Sequence, residues 1–259
     1  MKHNRSFYAP QSLDEARSVL AETPDTVLVA GGQWLVPMLS SGHVDAQTIV
    51  ALDRIAELRG IDQKGSVISI GAGETHQTIA QSALLSEQVP VITEIASQIA
   101  DPATRNRGTL GGALGSDQGR TDYAGLLLAS NGQFHSSRRA WSAEVFYASP
   151  DGSNFQPDEI LISVSLEPPR WGVFEKIPHP AANHAEAAIF MSQTQTNNWR
   201  VVAMGQGLRP QRLEPLETQL DSGVKGHDLI WPETPDLADP FLLSRLRSLF
   251  LRGLNRAPV

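Results

Sequence analysis

The chain has 259 residues, 21 Lys and Arg against 28 Asp and Glu for a formal net charge of −7, and no cysteine. This length suits one large domain or two modest ones, with a core that needs no disulfide or metal. The acidic balance argues against nucleic acid or an anionic membrane as the main partner. The missing cysteines exclude disulfides, Cys-ligated metal and thiol nucleophiles, so any redox chemistry requires a bound organic cofactor.

The sequence lacks the signals of membrane insertion and of metal binding. No stretch of about 18 consecutive apolar residues occurs, and the N-terminal charges are not followed by an apolar run. We therefore expect neither a membrane span nor a signal peptide, and a cytoplasmic location. His179 and His184 stand five residues apart without an evident third ligand, so we expect no metal site.

Hydrophobic patterning predicts alternating helices and strands. Ser12 and Glu15 form a capping box, which predicts a helix of about ten residues. Continuous apolar runs predict two buried strands, at residues 26–30 and 48–52. The other predicted elements are strands at residues 66–70, 159–166, 172–177, 186–193 and 199–205, and helices at 76–82, 89–100, 123–129 and 241–255. Pro168-Pro169 marks a predicted domain boundary.

Two glycine-rich segments stand out from this pattern. Gly31-Gly32 directly follows the first apolar strand, and residues 105–122 carry glycines at 108, 111, 112 and 115. Backbone N–H groups exposed in such turns form a concave site for a phosphate or pyrophosphate; the alternative for Gly31-Gly32 is an ordinary tight turn. Leu110 and Leu114 are predicted anchors that hold the longer segment against the core. Together the segments could grip one extended dinucleotide.

Common catalytic signatures are missing. The chain has no P-loop, and Gly205-Gln206-Gly207 lacks the third glycine of a dinucleotide fingerprint. Ser116 in Gly115-Ser116-Asp117-Gln118-Gly119 is one place too early for a nucleophile elbow. We therefore predict no catalytic residue. Lys176 lies in a strand pattern beside Phe174, and this pattern alone predicts that it is part of a solvated strand face.

At this point the motifs resemble a known family. Residues 28–32, with Leu35 and Met38, resemble the first FAD-binding motif of the flavoprotein subunits of molybdenum hydroxylases, namely the carbon monoxide dehydrogenase medium subunit and the FAD portion of xanthine dehydrogenase. Residues 105–112, reaching Asp122, resemble the second motif at the expected spacing. Shorter colinear matches lie at residues 8–16, 70–75, 158–161, 174–176 and 200–205. The resemblance covers nearly the whole chain.

The resemblance implies an α+β fold of two domains. Residues 1–168 would form a two-subdomain FAD-binding domain of the vanillyl-alcohol-oxidase (PCMH) type, with subdomains at about 1–58 and 59–168. Residues 169–259 would form a smaller α+β domain like the C-terminal domain of carbon monoxide dehydrogenase flavoproteins.

The resemblance also implies which residues contact FAD. The first loop would wrap the pyrophosphate through its backbone N–H groups, and the second loop would close on it. Other residues would lie near the cofactor, with the Lys176 ammonium stabilising negative charge on the reduced flavin. The implied residues are Val29, Ala30, Gly31, Gly32, Gln33, Trp34 and Leu35 in the first loop, Thr109, Gly112, Ala113 and Ser116 in the second, and Thr75, Ile99, Ala100, Asp122, Leu161 and Lys176 elsewhere.

The chain departs from the family pattern in both loops. Gln33-Trp34 stands where the family usually has Thr-Asp or His-Ser, and Ala113 stands where it usually has Asn. Pro178, His179 and Pro180 replace basic residues that usually follow the Phe-x-Lys motif. Each hydrogen bond to FAD lost in this way would cost about 1 kcal/mol.

The resemblance implies an FAD-binding electron-transfer subunit of a molybdenum hydroxylase. Its partners would be a [2Fe–2S] subunit and a large molybdopterin subunit, and its electrons would pass to NAD⁺, oxygen or a quinone. Two alternatives stay open. The chain could have lost FAD and serve as a structural or assembly module, or it could be a stand-alone flavin oxidase.

Overall fold

The computed structural model describes residues 5–116, 121–148, 155–156, 158–179, 185–226 and 228–258. Our expectations for His184, for Pro180 and for Asp117, Gln118 and Gly119 concern positions outside these residues. The described chain contains three β-sheets, which follow one another along the sequence.

The first sheet is parallel and has three strands in the order β1-β3-β2. Its helix α1 begins where the capping box predicts, because the Ser12 hydroxyl accepts a hydrogen bond from the Glu15 N–H at 3.2 Å. Ala16 and Leu20 on α1 pack with Val50, Ile55 and Leu58 in a small core. The elements are β1 (Ser6–Tyr8), α1 (Leu13–Glu22), β2 (Thr26–Val29), α2 (Leu35–Ser40) and β3 (Thr48–Ala51).

The second sheet is antiparallel and has five strands in the order β4-β5-β8-β6-β7. Six helices lie in the sequence between β5 and β6, and buried residues of most of them share one core with this sheet. The strands are β4 (Ile61–Lys64), β5 (Val67–Gly71), β6 (Gln133–Ser136), β7 (Ala140–Ser142) and β8 (Leu161–Leu166). The helices are α3 (His76–Gln81), α4 (Ala83–Gln88), α5 (Pro90–Ser97), α6 (Pro102–Arg105), α7 (Leu110–Gly115), α8 (Tyr123–Ala129) and α9 (Ala143–Ala148).

The third sheet is an antiparallel meander in the order β12-β11-β10-β9. Its strands are β9 (Trp171–Pro178), β10 (Ala185–Gln193), β11 (Trp199–Gly205) and β12 (Leu208–Arg212), followed by the helices α10 (Glu214–Asp221) and α11 (Pro240–Leu254). One face of β10, with Ala188 and Phe190, joins the core of the five-stranded sheet. The other face, with Ile189 and Met191, packs on α10 and α11. Burial on both faces explains why this strand reads as a continuous apolar run.

Helix α8 links the second and third sheets. All seven of its residues are buried, and a Cβ added at Gly125 would stand 2.5 Å from the Phe190 Cβ. Glycine at this position therefore lets the helix lie directly on β10. Because Asp122 precedes α8 and Lys176 lies on β9, this packing brings both residues to one place.

No helix among the described residues is long and apolar enough to cross a membrane.

The structure confirms most predicted elements and corrects three of them. Strand β2 is half-buried along its whole length rather than buried, because it lies at the edge of its sheet. Helix α5 ends at Ser97, so Ile99 and Ala100 lie in a turn beyond it. The glycine-rich segment contains the short helix α7, with Leu110 and Leu114 each 1% exposed as the predicted anchors. Short elements without clear apolar periodicity, such as α4, β6 and β12, were not predicted.

Candidate functional site

The first glycine loop is the turn between β2 and α2. Gly32 has a φ of +73°, a left-handed conformation that glycine adopts without strain. Among the described residues, none accepts a hydrogen bond from the backbone N–H groups of residues 30–35. The Gln33 side-chain amide donates to the Gly31 carbonyl at 3.2 Å, and Trp34 is 45% exposed. The turn thus presents a row of unpaired N–H groups on an accessible surface, which suits an anion.

The second glycine loop is fixed to the turn after β5. The N–H groups of Leu110 and Gly111 donate to the carbonyls of Glu74 and Ala72 at 2.9 and 2.7 Å. The Thr109 hydroxyl caps α7 by accepting from the Gly112 N–H at 3.1 Å. The Ala113 N–H donates to the Thr109 carbonyl. These N–H groups are therefore engaged within the chain, and Thr109 itself is buried. What this loop offers a ligand is the exposed surface of Gly112 and the half-buried Ser116.

The two glycine loops touch each other, although about 75 residues separate them in the sequence. A Cβ added at Gly31 would stand 2.0 Å from the Arg107 carbonyl oxygen and 2.8 Å from the Gly108 Cα. A Cβ added at Gly112 would lie 3.9 Å from the Ala30 Cβ. The fold thus brings the two loops into contact with each other.

Thr75, the N-cap residue of helix α3, lies in the same region. It pairs with Thr109 in an isolated antiparallel bridge, and its hydroxyl caps α3 by accepting from the Thr78 N–H at 3.0 Å. Thr75 also lines an open surface groove of about 570 Å³, together with Gln77, Gln81 and Asn106. The groove lining contains uncharged polar side chains and Ile61. Thr75 is therefore accessible to a ligand.

Asp122 and Lys176 form an ion pair in the interior. The Lys176 Nζ lies 2.6 Å from the Asp122 Oδ2, and the two side chains are 16% and 6% exposed. The Lys176 Nζ also lies 5.7 Å from the Phe174 ring centroid. The interpretation of Lys176 as part of a solvated strand face is therefore wrong, since its side chain is largely buried against Asp122. Sequence reasoning assigned both residues to the cofactor separately and missed their pairing.

Leu161, the remaining predicted site residue, is 9% exposed at the start of β8. Ile99 is half-buried and Ala100 is exposed in the turn beyond α5. Among the described residues, no group of three or more His, Cys, Asp or Glu side chains could hold a metal ion.

His76 and Tyr123 form a buried polar pair beneath the second loop, which sequence reasoning did not find. The His76 Nδ1 lies 3.0 Å from the Tyr123 hydroxyl, and the rings stack with centroids 5.7 Å apart. Burial, with a smaller effect of the Arg105 charge, lowers the pKa of His76 to about 4. Burial raises the pKa of Tyr123 well above its usual value, and the Asp122 charge adds to this rise. Both groups are therefore neutral at pH 7.

The depressed pKa of His76 predicts a loss of stability in mild acid. The unfolded chain, with the ordinary His pKa of 6.5, binds this proton more readily than the folded chain, so stability falls as the pH drops from 6.5 toward 4. We expect a loss of about 2 kcal/mol of unfolding free energy between pH 8 and pH 5 from this group. Urea unfolding of the wild-type and His76→Gln chains at both pH values measures it. An equal pH dependence in the two chains would contradict the prediction.

The sequence of residues 2–170 matches the family model described as the FAD binding domain in molybdopterin dehydrogenase. The chain belongs to this family, and its cofactor is FAD. The resemblance stated above is thereby confirmed.

Individual relatives agree with this assignment. The carbon monoxide dehydrogenase medium chain of Hydrogenophaga pseudoflava is 28% identical over 200 residues, which cover 74% of this chain and 70% of the relative. The nicotine 6-hydroxylase medium subunit of Paenarthrobacter nicotinovorans is 29% identical over 175 residues, covering 65% and 62% of the two chains. A solved structure of carbon monoxide dehydrogenase from Hydrogenophaga pseudoflava superposes with a TM-score of 0.83 at 23% identity, covering 99% of this chain and 98% of that chain. At this identity the superposition shows the fold, which is of the predicted type.

The geometry of the described residues fits FAD. The unpaired N–H groups between β2 and α2 suit a pyrophosphate, because its oxygen atoms can accept hydrogen bonds from them. At Gly31 the backbone of the first loop lies directly against the backbone of Arg107 and Gly108 in the second. The Lys176 ammonium is desolvated, which strengthens its effect on a nearby negative charge. These features fit FAD even though Gln33, Trp34 and Ala113 depart from the family pattern.

Proposed function

We propose that this chain is the electron-transfer flavoprotein subunit of a multi-subunit molybdenum hydroxylase. The observation that carries the proposal is the contact between the two glycine loops at Gly31 and Arg107 beside a row of unpaired backbone N–H groups. When bound, FAD supplies redox chemistry that no side chain of this cysteine-free sequence provides. The family assignment supports the same function.

The residues of this chain would bind and orient the cofactor. We propose that the backbone of residues 29–35 holds the pyrophosphate and that Thr109, Gly112, Ala113 and Ser116 close the site from the second loop. Thr75, Ile99, Ala100 and Leu161 would exclude water from the ring and ribityl chain. The Asp122–Lys176 pair would place a carboxylate and an ammonium at the polar edge of the flavin, where charge develops on reduction.

The proposal extends to partners and organisation. A [2Fe–2S] subunit would deliver electrons, a large molybdopterin subunit would carry the substrate, and NAD⁺, oxygen or a quinone would be the acceptor. Relatives named as medium chains or subunits support such an assembly. We also propose domain limits at residues 1–168 and 169–259, which separate the third sheet from the other two.

Absorption spectroscopy tests the cofactor and partner parts of the proposal in turn. The purified chain, incubated with excess FAD and desalted, should retain about one flavin with bands near roughly 375 and 450 nm. Co-expression with neighbouring reading frames for an iron–sulfur and a molybdenum subunit should yield a complex whose flavin is bleached by substrate. A colourless complex would contradict the proposal and favour a structural role for the chain. Bleaching of the isolated chain by an alcohol or amine would favour a stand-alone oxidase.

Gly112→Val should abolish flavin retention while the chain stays folded. Gly112 is exposed, and its added Cβ would meet only the Thr109 hydroxyl at 3.0 Å and the Ala30 Cβ at 3.9 Å, so the branched side chain would project between the loops. We expect the melting temperature to fall by less than about 4 °C. Gly115→Val in the same helix is the control, because no atom lies within 4 Å of its added Cβ. Full flavin content in Gly112→Val would show that the second loop does not contact FAD at Gly112.

A further inference from the structure

The turn after helix α5 holds an alanine in a strained backbone conformation. Ala100 has a φ of +42°, in the left-handed region that costs a residue with a Cβ about 1 kcal/mol or more. The other non-glycine residues with positive φ in the described part of the chain are Asp25, Asn131 and Asn197, and Asp and Asn tolerate this region better than other residues. Something in the fold must therefore hold Ala100 in this conformation.

The side chain of Arg105 holds this turn. Its Nη1 donates to the carbonyls of Ile99 and Ala100 at 2.9 and 2.8 Å, so one guanidinium engages two successive carbonyl groups. Helix α6 sets the position of Arg105, because the Asp101 carboxylate caps it by accepting from the Thr104 N–H at 2.9 Å. Hydrogen bonds from a charged donor are stronger than neutral ones. The guanidinium also lies near the carbonyl end of α5, where a positive charge is favourable.

Arg105 also stands at the base of the second glycine loop. The Gly108 N–H donates to the Thr104 carbonyl at 2.7 Å, and the Gly108 carbonyl accepts from the His76 N–H at 3.0 Å. The backbone next to Gly108 in turn contacts Gly31 of the first loop. Arg105 therefore connects the turn at Ile99 and Ala100 to the segment where both loops meet.

We propose that Arg105 is a positioning residue, which fixes the Ile99–Ala100 turn in its left-handed conformation as a preformed wall for the flavin. This inference rests on the proposed function, because Ile99 and Ala100 are cofactor contacts only within it. Arg105 itself need not touch FAD. It acts by removing the cost of ordering the strained turn when the cofactor binds.

The test compares FAD dissociation constants of full-length variants. Arg105→Ala should weaken FAD binding about tenfold, since two charge-assisted hydrogen bonds are lost. Arg105→Lys, which keeps the positive charge but not the planar guanidinium, should weaken it less. Ala100→Gly in the Arg105→Ala background should restore most of the affinity, because glycine adopts a positive φ without the Arg105 hydrogen bonds. Arg17→Ala, an exposed arginine on α1, is the control with unchanged affinity.

Hydrogen exchange of the FAD-free chain provides a readout that does not depend on the cofactor. Amides of residues 98–106 should exchange about tenfold faster in Arg105→Ala than in the wild type, because the clamp is lost. Unchanged exchange would show that the Arg105 hydrogen bonds do not hold the turn. Faster exchange with wild-type FAD affinity would show that Arg105 does not position the turn for the cofactor. Failure of Ala100→Gly to rescue affinity would show that strain at Ala100 is not what Arg105 controls. A wild-type chain that takes up no FAD, alone or with its partners, would instead overturn the proposed function.

Discussion

Gly31→Ala should prevent the two glycine loops from closing on each other and abolish flavin retention. The added Cβ would stand 2.0 Å from the Arg107 carbonyl oxygen and 2.7 Å from the carbonyl carbon. Backbone cannot move aside as the end of a flexible side chain does, so one loop must shift. Overpacking of this kind typically costs about 1–3 kcal/mol. We expect a lower melting temperature and the loss of stoichiometric FAD after desalting.

Gly115→Ala is the matched control for Gly31→Ala. Gly115 lies in α7 of the second loop, and no atom stands within 4 Å of its added Cβ. Replacing a helical glycine by alanine there should leave stability unchanged or raise it by up to about 1 kcal/mol, with full flavin content. Equal flavin content in both variants would contradict the loop contact. If Gly31→Ala keeps its melting temperature but loses FAD, the loops would separate without disturbing either core.

Removing either partner of the Asp122–Lys176 ion pair should be strongly destabilising. Lys176→Met leaves the buried Asp122 carboxylate without its counter-ion, and Asp122→Asn leaves the Lys176 ammonium. Breaking a buried pair in this way costs about 3 kcal/mol or more. The double variant Asp122→Asn/Lys176→Met buries no unpaired charge, so its unfolding free energy should lie closer to the wild type than that of either single variant. Urea unfolding of all four chains completes this cycle.

The same variants also test the proposed position of the pair beside the flavin. Lys176→Met removes a positive charge and should make the potential of bound FAD more negative, by roughly 30 mV for a loss of about 1.4 kcal/mol in a two-electron couple. Asp122→Asn leaves the ammonium uncompensated and should shift the potential in the opposite direction. Spectroscopic redox titration of the flavin measures both. Two shifts of the same sign, or none, would show that the pair does not face the cofactor.

Elements with strong local signals are predictable from the amino-acid sequence alone. The capping box at Ser12 predicts the start of α1, and apolar runs predict β3, β10 and β11. Both signals are formed by residues that are close together in the sequence. The glycines at 31, 32, 108 and 112 identified both loops before the structure did. The family resemblance, confirmed by the family model, supplied the cofactor and the likeness in fold.

The way in which these parts contact one another depends on long-range packing. No local pattern indicates that the Gly31 backbone contacts Arg107, that Lys176 pairs with Asp122 across 54 residues, or that His76 stacks on Tyr123. Each contact joins residues far apart in sequence, and the packing of α8 against β10 and of both loops against the turn after β5 brings them together. Two further features also depend on long-range contacts that override the local apolar pattern. Strand β2 is half-buried because of its place in the sheet order, and the turn at Ala100 is strained because the Arg105 hydrogen bonds hold it.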